Sequence, residues 1–251
     1  MRENDGRDPI RAAQANMRPP VFKRFYKQAS VVEADGGFAL RLDGRGARTP
    51  GKALLVAPRR AIAELIAAEW TAQGDVIDPR TMPATRLANS AIDGMAKTLA
   101  ATRAEILRYA ASDLACYRSE EPPELVAMQA EAHDPVLDFA REALGAQFRL
   151  AQGVMFVEQP RAALESVGAA LGRWDDAFAI AALHVLTSLS GSALIALMLA
   201  RGAIGRQAAW RAAHVDEDFQ ILKWGEDDEA RLRREARWGE FATAAEVIAA
   251  F

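Results

Sequence analysis

The order of apolar and polar positions divides the chain into three parts. Residues 1–20 mix Arg2, Glu3, Asp5, Arg7, Asp8 and Arg11 with Pro19-Pro20 and carry no apolar period, the pattern of a flexible tail. From Ala29 to Ala57 the period is two: Val31-Val32, the turn Asp35-Gly36-Gly37, then Phe38, Leu40 and Leu42 alternating with Ala39 and Arg41. A third run, Leu54-Leu55-Val56, completes a small antiparallel sheet. After Pro58 the period becomes about 3.6, with Ile62, Leu65, Ile66 and Trp70 on one face and Gly74 as the stop. A further helix runs through Leu87, Ala91, Ile92 and Met95, and the next opens at Thr102 and Glu105 in capping-box spacing. Pro122-Pro123 breaks the chain, a helix restarts at Asp134-Pro135, residues Gly145 to Gln159 read as an extended connector, and Pro160 opens another helix. The fold class is therefore α+β: a small N-terminal antiparallel β domain over residues 21–58, then a larger α-helical domain over 59–251.

The run from Ala177 to Ala200 holds no formal charge over 24 positions, long enough to cross a bilayer. His184, Thr187, Ser188, Ser190, Gly191 and Ser192 interrupt it, and the flanking charges lack the asymmetry that sets topology. It reads as a buried hairpin of two helices of about 12 residues each, meeting near Ser190-Gly191-Ser192, and no membrane insertion is expected.

Composition narrows the chemistry. With 51% hydrophobic and 26% charged residues, the 251-residue chain can bury a core, and its net charge of -3 argues against nucleic acid as the partner. Residues 1–60 are nonetheless basic, with 13 Lys+Arg against 6 Asp+Glu. One cysteine, Cys116, excludes an intrachain disulfide, and three scattered histidines (His133, His184, His214) make a histidine-rich metal centre a poor expectation. No cofactor, metal or small-molecule substrate is expected.

Gly46-Ala47-Arg48-Thr49-Pro50-Gly51-Lys52-Ala53 approaches a phosphate loop, but Ala53 replaces the hydroxyl residue, Pro50 removes a backbone N–H, and a strand follows where the motif needs a helix. It reads as a hairpin connection. Cys116 beside Arg118 has no histidine near it in sequence and reads as a small buried thiol. His184 reads as a core polar group bonded to a neighbour, and His133 as a residue near a helix start.

Ile204 to Ala230 is richest in candidate function. Ala208, Ala212, Val215, Phe219 and Leu222 recur at helical spacing and would face the core. A second stripe, Trp210, His214, Glu217, Ile221 and Trp224, lies about 100° round the same helix and places a carboxylate between two tryptophans. Such a stripe is a contact surface for a partner, or it packs on another helix of the same domain. Asp216, Glu217, Asp218, Glu226, Asp227, Asp228 and Glu229 face Lys223 alone in the sequence, a local net of -6. The candidate partner-binding residues are Trp210, Asp216, Glu217, Asp218, Gln220, Trp224, Glu226 and Asp227, with Glu217 expected on the surface; no catalytic residue is assigned.

In order and spacing, Arg24-Phe25-Tyr26-Lys27, Leu42-Asp43-Gly44-Arg45 with Thr49-Pro50, Glu69-Trp70, Met82-Pro83 with Ala91-Ile92-Asp93, Asp113-Leu114 with Cys116-Tyr117-Arg118, Asp134-Pro135, Gln159-Pro160, Gly191-Ser192, Ala209-Trp210, Asp216-Glu217-Asp218-Phe219-Gln220 and Trp224-Gly225-Glu226-Asp227 resemble one family. That family is the assembly chaperone that acts on the alpha subunit of the F1 sector of ATP synthase. The resemblance covers nearly the whole chain from Arg24 onward. Arg48, Ser112 and His133 depart from its usual lysine, threonine and tryptophan.

The resemblance implies a non-enzymatic chaperone that holds the unassembled alpha subunit, without ATP, until the beta subunit replaces it. It also implies that function is sensitive at the acidic positions Asp216, Glu217 and Asp218. The Ala- and Arg-rich composition and the acids at Glu3, Asp5 and Asp8, which fit no leader, lead to the expectation of a bacterial cytoplasmic protein with relatives in the mitochondrial matrix. Two rival readings are a generic protein-binding adaptor and an enzyme using paired carboxylates, Asp216 with Glu217 or Asp93 with Asp113.

Overall fold

A computed structural model describes residues 22–153 and 155–251. The tail expected over residues 1–20 lies outside them. Strands β2 (Ala29–Ala34) and β3 (Gly37–Leu42) form the hairpin that alternation predicts, in a register that sets Ala34 opposite Gly37 and Ala29 opposite Leu42. Strand β4 (Arg45–Gly46) pairs with the far end of β3, and β5 (Val56–Ala57) with its near end. Gly37 is required where β5 crosses the turn. Its φ is 145°, and a Cβ there would stand 2.2 Å from the Ala57 carbonyl oxygen. Strand β1 (Phe22–Lys23) pairs instead with β6 (Val76–Ile77), which follows the first helix.

Helix α1 (Arg60–Ala72) lays Ile62, Ala63 and Ile66 on the sheet, burying the face opposite Arg60 and Glu64. Its Glu69 reaches across to start the next helix, α2 (Pro83–Ser90). One carboxylate oxygen accepts from the Ala84 N–H (2.6 Å) and the other from the Thr85 N–H (2.8 Å) and hydroxyl (2.7 Å). Met82 provides no side-chain cap, so Glu69 caps from another element. Burial nonetheless raises its pKa above the ordinary carboxylate value, outweighing those bonds.

A π-helical turn, Ala91–Met95, joins α2 to α3 (Ala96–Ala111) without a break. The capping box expected at Thr102 is therefore not used. Thr102 lies inside α3, its hydroxyl 3.2 Å from the Met95 sulfur. Helix α4 (Pro123–Leu144) likewise runs through Asp134-Pro135, where a restart was expected. Arg118 holds both preceding residues from outside the helix: it donates to Asp134 (2.8 Å) and to His133 Nδ1 (3.1 Å). The His133 Nε2–H then donates to the Ala212 carbonyl (2.9 Å), so His133 is a mid-helix tie rather than a residue at a start. The connector from Gly145 to Gln159 contains a strand that sequence missed. β8 (Ala151–Gln152) lies parallel to β7 (Tyr117–Arg118), and the Gln159 amide bonds both backbone groups of Arg149.

Helix α5 (Arg161–Leu171) follows Pro160. The charge-free run then forms two buried helices, α6 (Ala177–Ser190) and α7 (Ala193–Ala200), as expected, joined at Gly191 in the left-handed conformation (φ 67°). The all-round apolar surface of α7 is explained by burial on all sides, residues 193 to 199 being buried without exception, while α6 leaves Ser188 exposed and His184, Val185 and Leu189 half-buried. Among the described residues, no helix is long and apolar enough to cross a membrane.

Asp113 anchors this hairpin. It accepts from Ser192 Oγ (2.6 Å), the Leu194 N–H (3.1 Å) and the Ala115 N–H (3.1 Å) while wholly buried. Desolvation still prevails, pushing its pKa up to about 6. Helices α8 (Arg206–Ala213), α9 (Val215–Trp224) and α10 (Asp228–Ile248) complete the fold. One continuous cluster of buried side chains runs from Tyr26 and Leu40 on the sheet side to Phe241 and Ile248 on α10.

Candidate functional site

The single helix expected to carry both stripes, from Ala208 to Trp224, is two helices, broken at His214 (φ -126°, ψ 24°). The break has a local cause. The His214 ring Nδ1–H donates to the Trp210 carbonyl (2.8 Å), the oxygen that the His214 backbone N–H would bond in a continuous helix. That N–H turns to Arg211 O instead (3.2 Å). Arg237 donates to the other ring nitrogen at 2.8 Å, which holds the ring neutral. Burial and the Arg237 guanidinium push the His214 pKa down, against the pull of the Trp210 bond.

This break dissolves the expected stripe. Trp210 is a core residue, 7% exposed, its ring centred 3.7 Å from His214 and packed edge-on against Trp238 and Phe241. It cannot offer apolar surface to a partner without unfolding α8. Trp224, at the end of α9, is 73% exposed. The two tryptophans therefore do not flank a common carboxylate.

The first-turn acids of α9 also differ from expectation. Asp216, Glu217 and Asp218 are all half-buried, and each turns to a separate partner. Asp216 accepts from the Gln129 amide on α4 at 2.6 Å. Glu217 lies 3.9 Å from Arg237, and Asp218 forms an ion pair with Arg234, both on α10. The local charge of -6 against Lys223 alone counts only neighbours in sequence. Arg234 and Arg237 face it from α10, and within α10 itself Asp228 pairs with Arg231 and Glu229 with Arg233, one turn further on. Asp216 and Glu217 thus diverge, as do Asp93, which binds the Thr49 hydroxyl (2.6 Å) and Gly51 N–H (2.8 Å), and Asp113, which binds Ser192. Neither pair forms the acid–base couple that an enzyme would need.

What remains open to solvent is the turn from α9 to α10. Leu222 is 72% exposed, and Gln220, Lys223, Glu226 and Asp227 are exposed beside it. Gly225 (φ 80°) turns the chain, and Asp227 caps α10 by accepting from the Ala230 N–H at 2.8 Å. Leu232, on the first turns of α10, is exposed as well. The turn thus exposes Leu222, Trp224 and, further along α10, Leu232 among carboxylates, with the half-buried Asp216, Glu217 and Asp218 on the first turn of α9. Single exposed apolar residues are ordinary, but an exposed tryptophan in a turn rimmed by carboxylates has the composition of a protein contact site.

Sequence reading missed the groups that hold the site. Gln129, 5% exposed, donates to Asp216 and accepts from the Ser119 N–H (2.7 Å), joining α4, α9 and the loop before α4. A groove of about 360 Å³, lined among others by Met128, Ala132, Pro135, Val215 and Asp218, separates α4 from α8 and α9. These cross-helix partners carry no mark in the sequence.

The remaining candidates have structural roles. The phosphate-loop-like segment is a hairpin connection that starts on the last residue of β4 and is closed by an isolated bridge from Arg48 to Leu54. Cys116 is fully buried, and burial with the nearby Asp113 charge pushes its thiol up to about 12, so it is not an activated nucleophile. His184 Nε2 stands 3.4 Å from Glu105 but has no hydrogen-bond partner, contrary to the bonded group expected. Among the described residues, no group of three His, Cys, Asp or Glu side chains could hold a metal ion.

Comparison with known proteins gives these contacts a context. The family model for the ATP12 chaperone protein matches residues 23–141, which span the sheet and most of α4. A crystal structure of Atp12 from Paracoccus denitrificans is 38% identical, with a TM-score of 0.82 over 91% of this chain and 97% of that one. The chain belongs to the ATP12 chaperone family. A structure from Agrobacterium tumefaciens, described as a putative chaperone, is 46% identical, with a TM-score of 0.88, and covers 98% of this chain and 92% of that one. The curated mitochondrial atp12 protein of Schizosaccharomyces pombe is 23% identical over 235 residues, 87% of this chain and 79% of its own. The family model ends on α4, whereas the matches to these solved structures extend over most of the chain.

Proposed function

We propose that this protein is an assembly chaperone for the F1 sector of ATP synthase that binds the unassembled alpha subunit and keeps it from aggregating until the beta subunit takes its place. The observation that carries the reading is the α9–α10 tip, where Trp224 and Leu222 are more than two-thirds exposed beside Glu226 and Asp227. An orphan subunit exposes the apolar surfaces it later buries against its neighbours, and such patches aggregate. An exposed tryptophan gives contact area, while the carboxylates steer arginines of the client and fix its orientation. Membership of the ATP12 chaperone family supports the same reading.

In this reading the acids divide their work. Glu226 and Asp227, at the tip, meet the client directly. Asp216, Glu217 and Asp218 hold α9 at its angle through Gln129, Arg237 and Arg234, and they reach the client only by exchanging these internal partners for client cations. Nucleotide takes no part, because release follows from competition by the beta subunit for the same surface. The site of action is the compartment in which the alpha subunit is made or imported.

The test is co-purification with F1 alpha and beta subunits expressed separately. The expected result is recovery of alpha, lost on Trp224→Ser and on joint Glu226→Lys and Asp227→Lys. Equal recovery of both subunits, or of neither, overturns it. A generic adaptor would recover other proteins in preference to alpha.

A further inference from the structure

We infer that the N-terminal sheet carries a second docking surface, built for an acidic peptide segment that brings one aromatic or aliphatic side chain. At the edge where β3 turns into β4 lies a cavity of about 560 Å³, lined by Phe25, Tyr26, Trp70, Asp43, Arg45 and Arg48 among others. That volume falls in the range of small-ligand and side-chain pockets.

Three aromatic rings form a row leading into it. Trp70 and Tyr26 are tilted with centroids 5.4 Å apart, and Phe25 stands edge-on to Tyr26 at 5.4 Å. Tyr26 is buried and fixed, its hydroxyl donating to the Trp70 carbonyl at 2.6 Å. Phe25 is 71% exposed. Among the described residues, nothing in the packing of the sheet covers that ring at the end of an ordered row. Leu54, half exposed, lies against Gly46 on the same rim.

Charge selects the occupant. Residues 22–60 hold nine Lys+Arg against three Asp+Glu. Of the three acids, Glu33 is paired to Arg60, and Asp43 accepts from the Lys27 and Gln28 N–H groups at 2.9–3.0 Å. Arg24 is fixed over Tyr26, its Cζ 4.7 Å from the ring centroid, by bonds to the Tyr26, Lys27 and Gln73 carbonyls. Among the described residues, Arg41 and Arg45, both exposed, have no carboxylate partner, and the Arg48 guanidinium donates to the Lys52 carbonyl at 2.7 Å rather than to a carboxylate. Cations fixed beside an aromatic pocket are complementary to carboxylates flanking an apolar side chain. A nucleic acid fits less well, because the Asp43 carboxylate lines the pocket and the chain as a whole carries a charge of -3. The surface is opposite in sign to the carboxylate-edged α9–α10 tip, and it stands whichever client that tip holds.

The test uses the full chain and fluorescence anisotropy with a labelled, end-blocked peptide Asp-Glu-Phe-Asp-Glu. The expected result is saturable binding below about 1 mM that weakens at least about tenfold between about 50 and 500 mM NaCl. Replacing the peptide's Phe by Ala, or its acids by lysines, should abolish it. Joint Arg45→Glu and Arg48→Glu, and separately Phe25→Ser, should each weaken binding about tenfold or more, with thermal unfolding unchanged because these side chains are exposed. Trp224→Ser should lower alpha-subunit recovery but leave peptide binding intact, which separates this surface from the α9–α10 tip. The proposal is overturned if no saturable binding occurs, if Arg45→Glu with Arg48→Glu binds as wild type, or if an oligothymidylate binds as tightly as the peptide. It is equally overturned if sedimentation reveals a dimer that the peptide dissociates, since a second copy of the chain is then the occupant.

Discussion

Gln129 on α4 and Asp216 on α9 are joined by a hydrogen bond of 2.6 Å, although 87 residues separate them in sequence. The same amide accepts from the Ser119 N–H, so one buried side chain holds the start of α9 and the loop entering α4. Gln129→Leu keeps the volume but leaves that N–H and the Asp216 carboxylate without partners. It should lower unfolding free energy by about 1–3 kcal/mol in urea titration. An unchanged midpoint would mean that α9 is held by its apolar face alone.

Trp210 and Trp224 should respond in opposite ways. Trp210→Ala opens a cavity against His214, Trp238 and Phe241 and should cost about 3–5 kcal/mol of stability. Trp224→Ser, at an exposed position, should leave the melting temperature within a degree or two and lower capture of the alpha subunit. Thermal unfolding measured beside co-purification separates the two effects.

Glu217→Lys sets a second cation beside Arg237 and His214 on a half-buried turn. It should cost about 1 kcal/mol, more than an exposed substitution, since it replaces an attraction by a repulsion. Adding Arg237→Glu restores opposite charges and should recover most of that loss. A double-mutant cycle with zero coupling would show that the 3.9 Å pair does not matter.

Asp113 and the two buried histidines pull the pH dependence of stability in opposite directions. The Asp113 pKa is raised to about 6 in the fold, so between its ordinary value and 6 the native state holds the proton more tightly. Its ionisation therefore costs stability, about 3 kcal/mol in full, as pH rises from 4 through 6. His133 and His214 have lowered pKa values, so the unfolded chain takes up their protons first and stability falls as pH drops below about 6.5. Asp113→Asn should flatten the first component while weakening the fold at every pH, because its amide NH2 would face donors. His133→Gln should remove part of the second. Urea midpoints from pH 4 to 8 read both; parallel curves for wild type and Asp113→Asn would refute the buried-carboxylate contribution.

Several motifs that made the sequence recognisable are cross-element ties. Glu69 starts α2, Asp113 starts α7, Arg118 spans the two residues before Pro135, and Gln159 closes on Arg149. Each appears in sequence as a short polar motif without a visible partner. Their order was enough to identify the family, and their function became evident only when both ends of each bond were in place.

The sequence alone determined the β2–β3 hairpin, through its alternation and the Asp35-Gly36-Gly37 turn, and the buried α6–α7 pair, through 24 positions without charge. These follow from local period and turn chemistry, which act over a few residues. Tertiary structure decided which tryptophan reaches solvent, where the helix at His214 breaks, and that the acids of α9 meet arginines of α10. Helical period places a residue on a face of its own helix. It does not say what that face will meet, because the partner is set by packing among segments distant along the chain.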